Sequence, residues 1–327
     1  MKSYIKALST YVPSIKITNQ NISDQFPEWD SEKIFDKIGI KNRYIAEPNE
    51  FVSDMAAKVI ENLVEEHNID LSTIDYFILC TQSPDYQLPT TACVVQDKVG
   101  LQKNCAAIDI NQGCSGYIYG LSIASSLVSS GNFKNVLLVT ADMYSKSIHP
   151  TDKGNISLFG DAATATLIST DGNYEIGKFT LGSDGSGAAN LIIKNGATKS
   201  KKDFVAENLD NYLYMNGSAI FDFTSKNVPS LVNDNLLCNN LSKEEIDMFV
   251  FHQANTFMLN FLRKRIGIDP LRFLLNMENY GNTVSSSIPL AFKDSYYDNN
   301  LSKVMFVGFG VGYSWGAVTL FKNKKND

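Results

Sequence analysis

In Asp109-Ile110-Asn111-Gln112-Gly113-Cys114-Ser115-Gly116 an apolar run, 106–110, stops at a glycine turn, and a long helix of small residues, 116–130, begins two positions after a cysteine. Strand, glycine turn and helix form the repeating unit of α/β proteins. Outward from this point the same alternation continues. Runs dense in β-branched and aromatic residues predict strands at 76–81, 135–140, 163–169, 247–251, 303–308 and 317–321. Helical periodicity fills 52–66, 219–235, 257–266 and 286–297. Several of the strands are apolar without period-two polarity, as expected where helices cover both faces of a sheet. Near position 170 the order begins again, which predicts two similar halves, 1–170 and 171–327. Between them, 182–216 is rich in Gly, Asn and Lys, carries the charged stretch 199–203, and reads as an exposed excursion.

The 327 residues are enough for a sizeable core, with 44% apolar and 20% charged side chains and a net charge of −6. Charges of both signs are mixed along the chain, so no basic face offers itself to nucleic acid. Apolar runs stay far below the ~20 residues of a membrane span. Met1-Lys2-Ser3-Tyr4-Ile5-Lys6 lacks the apolar core of a secretory signal, and the five cysteines include no CxxC pair. The expectation is a reduced, cytoplasmic, globular protein with neither metal site nor disulfide framework.

Cys114 occupies a nucleophile's position: a sulfur at a helix N-terminus feels unpaired N–H groups, which favours thiolate. Cys80, Cys93, Cys105 and Cys238 read as buried structural residues. Of the three histidines, His67 lies in the polar end of a helix and reads as solvated, and His149 precedes Pro150 in a loop. His252 directly follows the strand at 247–251, at the carboxyl end where open α/β sheets bind ligands. Asn282 lies in a polar turn, Asn279-Tyr280-Gly281-Asn282-Thr283-Val284-Ser285-Ser286-Ser287, and by itself reads as a helix cap or turn residue rather than a catalytic group. Gly308-Phe309-Gly310-Val311-Gly312-Tyr313-Ser314-Trp315-Gly316 lacks dinucleotide spacing; it reads as a phosphate cradle, a tight turn or a source of N–H groups for an oxyanion.

In this order these segments resemble the β-ketoacyl-acyl-carrier-protein synthase III family of the thiolase-like superfold. Tyr11-Val12-Pro13, Ile38-Gly39-Ile40-Lys41-Asn42-Arg43, Pro84-Asp85-Tyr86-Gln87-Leu88-Pro89 and Pro150-Thr151-Asp152-Lys153-Gly154 extend the likeness nearly end to end. The resemblance implies a five-layered αβαβα protomer of two duplicated halves, a homodimer, and no bound cofactor, with coenzyme A or phosphopantetheine thioesters as substrates. It assigns Cys114 as nucleophile for an acyl donor, and His252 with Asn282 as the pair that stabilises the enolate left when a malonyl thioester loses CO2. The N–H groups of Cys114 and of the Gly310-Val311-Gly312 turn would hold the tetrahedral oxyanion, and Phe309, Asn255 and Leu88 would line the substrate pocket.

Departures from the family pattern carry expectations of their own. Lys33 stands where initiating enzymes carry an adenine-stacking Trp, with Trp29 four residues earlier; Lys153 replaces the Arg of that clamp, keeping charge but losing a planar surface. Trp29, Lys33, Lys37 and Lys153 are thus the candidate contacts to coenzyme A or phosphopantetheine. Phe257 and Asp222 occupy basic carrier-docking positions, leaving Arg263, Lys264 and Arg265 as the candidate docking cluster for acyl carrier protein. Leu88 stands for a Phe that closes the acyl pocket across the dimer, which predicts acceptance of groups longer than acetyl. Val311 replaces a Gly and keeps the N–H while excluding φ > 0. Two further readings remain: acyl transfer from Cys114 to an amine or hydroxyl acceptor, and an inactive partner subunit.

Overall fold

A computed structural model describes residues 1–199 and 208–323, so most of the charged stretch at 199–203 lies outside the described residues. The first strands are β1 (Tyr4–Tyr11), β2 (Ile15–Thr18), β3 (Asn42–Ile45), β4 (Tyr76–Cys80), β5 (Ala106–Ile110), β6 (Asn135–Asp142) and β7 (Ala162–Ser169). With them come helices α1 (Asn19–Gln25), α2 (Ser31–Ile38), α3 (Val52–His67), α4 (Thr91–Lys98), α5 (Gly116–Ser129) and α6 (Lys153–Leu158). Then follow β8 (Tyr174–Ser183), β9 (Leu191–Ile192), β10 (Tyr214–Met215), β11 (Met248–Phe251), β12 (Phe273–Leu274), β13 (Lys303–Gly310) and β14 (Ser314–Lys322), with α7 (Gly217–Cys238), α8 (Thr256–Ile266) and α9 (Ser287–Phe292).

Strand order in the main sheet is β12-β11-β13-β14-β8-β1-β7-β6-β4-β5, and one plan occurs twice in it. β4 lies parallel to β5 and β6, β6 antiparallel to β7, and β7 antiparallel to β1. Likewise β11 lies parallel to β12 and β13, β13 antiparallel to β14, and β14 antiparallel to β8. The two groups meet where Tyr4 and Ile5 pair with Glu175 and Tyr174.

Side-chain alternation sorts the core into layers. Val136 and Leu138 of β6, with Val304 and Phe306 of β13, face a central layer holding α5 and α9. Leu137 and Val139 face α3 and α4 on one outer side, and Met305, Val307 and Phe309 face α7 and α8 on the other. Strands buried on both faces show no polar alternation, which explains the apolar runs of the sequence. Each such side chain contributes roughly 1.5–3 kcal/mol by its burial. The result is the five-layered αβαβα arrangement. Among the described residues no helix is long and apolar enough to cross a membrane.

Some expectations need correction. β1 and β8 went unread because Lys6, Ser9, Glu175 and Lys178 interrupt them; they are strands because neighbours pair with them on both sides. The segment at 182–216 is not simply an exposed excursion: β9 pairs with β10, and Leu191 and Leu213 are buried. The helix read at 286–297 is shorter, with α9 flanked by 3-10 turns. His67 is not solvated, since its side chain is 11% exposed and its ring contacts the Leu8 carbonyl and the Tyr297 hydroxyl. Cys93 is exposed and Cys238 half-buried, while Cys80 and Cys105 are buried as expected.

Candidate active site

Cys114 lies in the turn between β5 and α5, and it is buried. The chain at the end of β13 approaches it closely: a Cβ at Gly310 would stand 2.7 Å from the Cys114 Cβ and 2.8 Å from its Sγ, so only glycine fits. The Val311 N–H lies near the sulfur and favours its charged form. Burial nevertheless pushes the thiol up to about 12, which corrects the expectation of a ready thiolate. Desolvation by residues from distant segments outweighs the helix end.

His252 leaves β11 with its backbone N–H bonded to the Val307 carbonyl at 2.8 Å. Burial pushes the imidazole down to about 3, so the ring is neutral at any working pH. Its Nδ1 lies 2.7 Å from Ser287 Oγ, and the Phe309 ring meets it edge-on at 5.7 Å. Asn282 is held by its main chain, its N–H donating to the Leu158 carbonyl at 2.9 Å and its carbonyl accepting from the Gly160 N–H at 3.1 Å. Its Oδ1 accepts from the Val284 N–H at 3.0 Å, which leaves Nδ2 to donate to a ligand. To make that bond Val284 sits at φ 53, a left-handed conformation that costs a β-branched residue about 1–2 kcal/mol.

Sequence reasoning missed the buried carboxyl behind this turn. Asp142, at the end of β6, accepts from the Gln82 N–H at 2.8 Å and from the Ser285 hydroxyl at 2.5 Å, and burial pushes it up to about 7. Val284, Ser287 and Asp142 carry no sequence motif of their own. Only their contacts show that they aim the turn.

A cavity of about 90 Å³ brings together Cys114, His252, Asn282, Asn255, Phe309 and Gly310. It shares Leu158, Met215, Gly217 and Asn255 with a channel of about 660 Å³ that Trp29, Lys37, His149 and Tyr212 also line. The Lys153 ammonium stands over the Trp29 ring at 5.4 Å and pairs with Glu28 at 2.7 Å, beside that channel. Lys33, one turn before Lys37 on α2, is exposed and lines none of these spaces.

The basic cluster on α8 does not act as one surface. Arg263 donates to the Ile268 carbonyl at 3.1 Å and thereby closes its own helix end, while the Arg265 guanidinium lies over the Phe261 ring. Lys264 alone of the three faces a groove of about 1210 Å³, whose floor is the aromatic set Phe221, Phe257 and Phe261. Leu88 is 80% exposed and lines none of these cavities.

Residues 108–185 match the 3-oxoacyl-[acyl-carrier-protein] synthase III family, and residues 236–321 match its C-terminal counterpart. The chain is 38% identical over 314 residues to a β-ketoacyl-[acyl-carrier-protein] synthase III of Clostridium perfringens, covering 95% of this chain and 96% of that protein. With the same-named protein of Lactococcus lactis subsp. lactis it is 36% identical, covering 97% and 98%. A crystal structure of a 3-oxoacyl-(acyl-carrier-protein) synthase III superposes with a TM-score of 0.94 at 40% identity, covering 99% of this chain and all of the other.

Proposed function

The chain belongs to the 3-oxoacyl-[acyl-carrier-protein] synthase III family of acyl-transferring condensing enzymes, and from that premise we propose a two-stage reaction centred on Cys114, His252 and Asn282. The observation that carries the assignment is the single cavity into which all three side chains reach. In the first stage a thioester donor acylates the Cys114 sulfur. The Cys114 proton passes to the departing sulfur, which leaves as a free thiol. Since burial keeps both Cys114 and His252 uncharged, a transfer without a separated ion pair suits this site.

In the second stage a malonyl thioester enters by the same channel and its carboxylate leaves as CO2. The electron pair left behind forms an enolate, whose oxygen accepts from His252 Nε2–H and Asn282 Nδ2. The enolate carbon attacks the acyl carbonyl on Cys114, the resulting oxyanion being held by the N–H groups of Cys114 and Val311. Collapse breaks the carbon–sulfur bond and the thiolate is reprotonated from solvent. The substrates bring the thioester chemistry with them, so no bound cofactor enters this scheme.

The deciding experiment is intact-protein mass after incubation with a panel of acyl-coenzyme A and acyl-carrier thioesters, followed by malonyl-carrier protein and measurement of CO2. An adduct that is cleared with stoichiometric CO2 is the expected result. An adduct cleared by an amine or alcohol without CO2 would favour the acceptor-transfer alternative, and no adduct at all would favour an inactive partner subunit. The longest acyl group retained also tests the widening expected from Leu88.

For donor binding, the reading rests on Trp29, Lys37 and the Trp29–Lys153 contact at the channel. For the carrier protein, the 64% exposed Phe257 and its aromatic neighbours lie beside Lys37 and Asn255, which the groove and the channel share. Phe257→Ala is expected to raise KM several-fold for malonyl-carrier protein and leave KM for malonyl-coenzyme A unchanged. Equal changes in both, or none, would remove this groove from carrier docking. We further read the protein as a cytoplasmic homodimer, each protomer built of halves 1–170 and 171–327, the cytoplasm matching five free cysteines and the second copy covering the exposed Tyr86 and Leu88. A monomeric sedimentation mass would exclude the dimer.

A further inference from the structure

His252 is useful to an enolate only if Nε2 carries its proton, and a neutral imidazole has two tautomers. We propose that Ser287 is the positioning residue that selects the Nε2–H tautomer of His252, an inference that rests on the condensing role just proposed. Both side chains are buried, so neither is exchanged with bulk water. Ser287 Oγ stands 2.7 Å from Nδ1 and also accepts from the Gln253 backbone N–H at 3.3 Å.

The hydrogen count then decides the direction. A hydroxyl has one proton to give, and among its contacts Nδ1 is the acceptor placed to take it. Were Nδ1 protonated instead, Oγ would receive two donors and its own buried proton would lack an acceptor. The Val284 carbonyl accepts the Ser287 N–H and, with its second lone pair, also lies near the ring, but the hydrogen bond formed at Nδ1 is the 2.7 Å contact to the Ser287 hydroxyl. Nδ1 is therefore the accepting nitrogen, and the proton sits on Nε2.

The geometry also links the two halves of the enolate site. One buried turn supplies the Val284 N–H that orients Asn282 Oδ1 and the Ser287 hydroxyl that orients His252. Both enolate donors are thus set by main chain and side chain of residues 282–287, and the ring is fixed before substrate arrives.

The direct test is nitrogen-15 NMR of the histidine-labelled full-length protein at neutral pH, with His252→Ala identifying the resonance. A proton on Nε2 in the wild type is expected, and a proton on Nδ1 would overturn the inference whatever any variant does. Ser287→Ala is expected to shift the population towards Nδ1–H and to slow CO2 release from the pre-acylated enzyme roughly 10- to 100-fold. Acylation of Cys114 should keep its wild-type rate, and Ser287→Thr, which keeps the hydroxyl, should restore condensation. Unchanged condensation in a folded Ser287→Ala protein would also overturn the proposal. If the wild type never releases CO2 from malonyl substrate, the functional reading has failed instead, and the NMR result separates the two failures.

Discussion

Cys114→Ala is expected to leave no acyl adduct with any thioester and to lower condensation on the order of 10⁶-fold, the scale seen when a covalent nucleophile is removed. The fold should survive, because the exchange removes a single sulfur from the turn between β5 and α5. The wild-type pH dependence is the more searching measurement. With the thiol pushed up to about 12, only about one molecule in 10⁵ carries a thiolate at pH 7. A raised thiol value means that the reactive form is scarce at low pH and grows as pH rises. Alkylation of Cys114 by iodoacetamide should accordingly increase about tenfold per pH unit from pH 7 to pH 10, without a plateau. A plateau near pH 7 would show that the Val311 N–H and the helix end outweigh burial. In the acyl-transfer stage the donor supplies its own proton acceptor, the departing sulfur, so a protonated Cys114 remains compatible with turnover.

His252→Ala and Asn282→Ala form the second large effect, and their signature is a split between stages. Each variant should still accept an acyl group on Cys114, since neither side chain is needed to form that bond. Condensation and CO2 release should fall by about 10²–10³-fold for each, or ~2.7–4 kcal/mol, the usual cost of one donor to a developing oxyanion. The double variant should lose less than the product of the two, because both donors serve one oxygen. Its low value makes His252 neutral from about pH 4 upward. CO2 release should therefore show no acid limb centred near pH 6.5. Such a limb, if it vanished in His252→Ala, would mean that the ring titrates as a solvated histidine and that its burial is lost during turnover.

The residues Cys114, His252 and Asn282 were visible in the sequence because each sits where a strand or turn gives way to a helix, and such junctions have local signals in glycine, asparagine and β-branched runs. β4, β6, β11 and β13 were visible for a related reason: a strand buried on both faces is largely apolar. The family pattern then ordered those segments into one site.

What those residues do chemically was not local. The thiol of Cys114 rises because Gly310 and its strand close over it, and the imidazole of His252 falls because β13 and the turn at 282–287 exclude water; both come from sequence positions far from the residue they act upon. Asp142 and Ser287 acquire roles only through hydrogen bonds across chain separations that no motif spans, Ser285 to Asp142 and Ser287 to His252. β1 and β8 became strands through pairing with partners on both sides, against a sequence that looked too polar. Local residue types thus determined the fold class and the reactive groups of this protein, while desolvation and hydrogen-bond direction, which depend on everything packed around a side chain, were decided only by the tertiary structure.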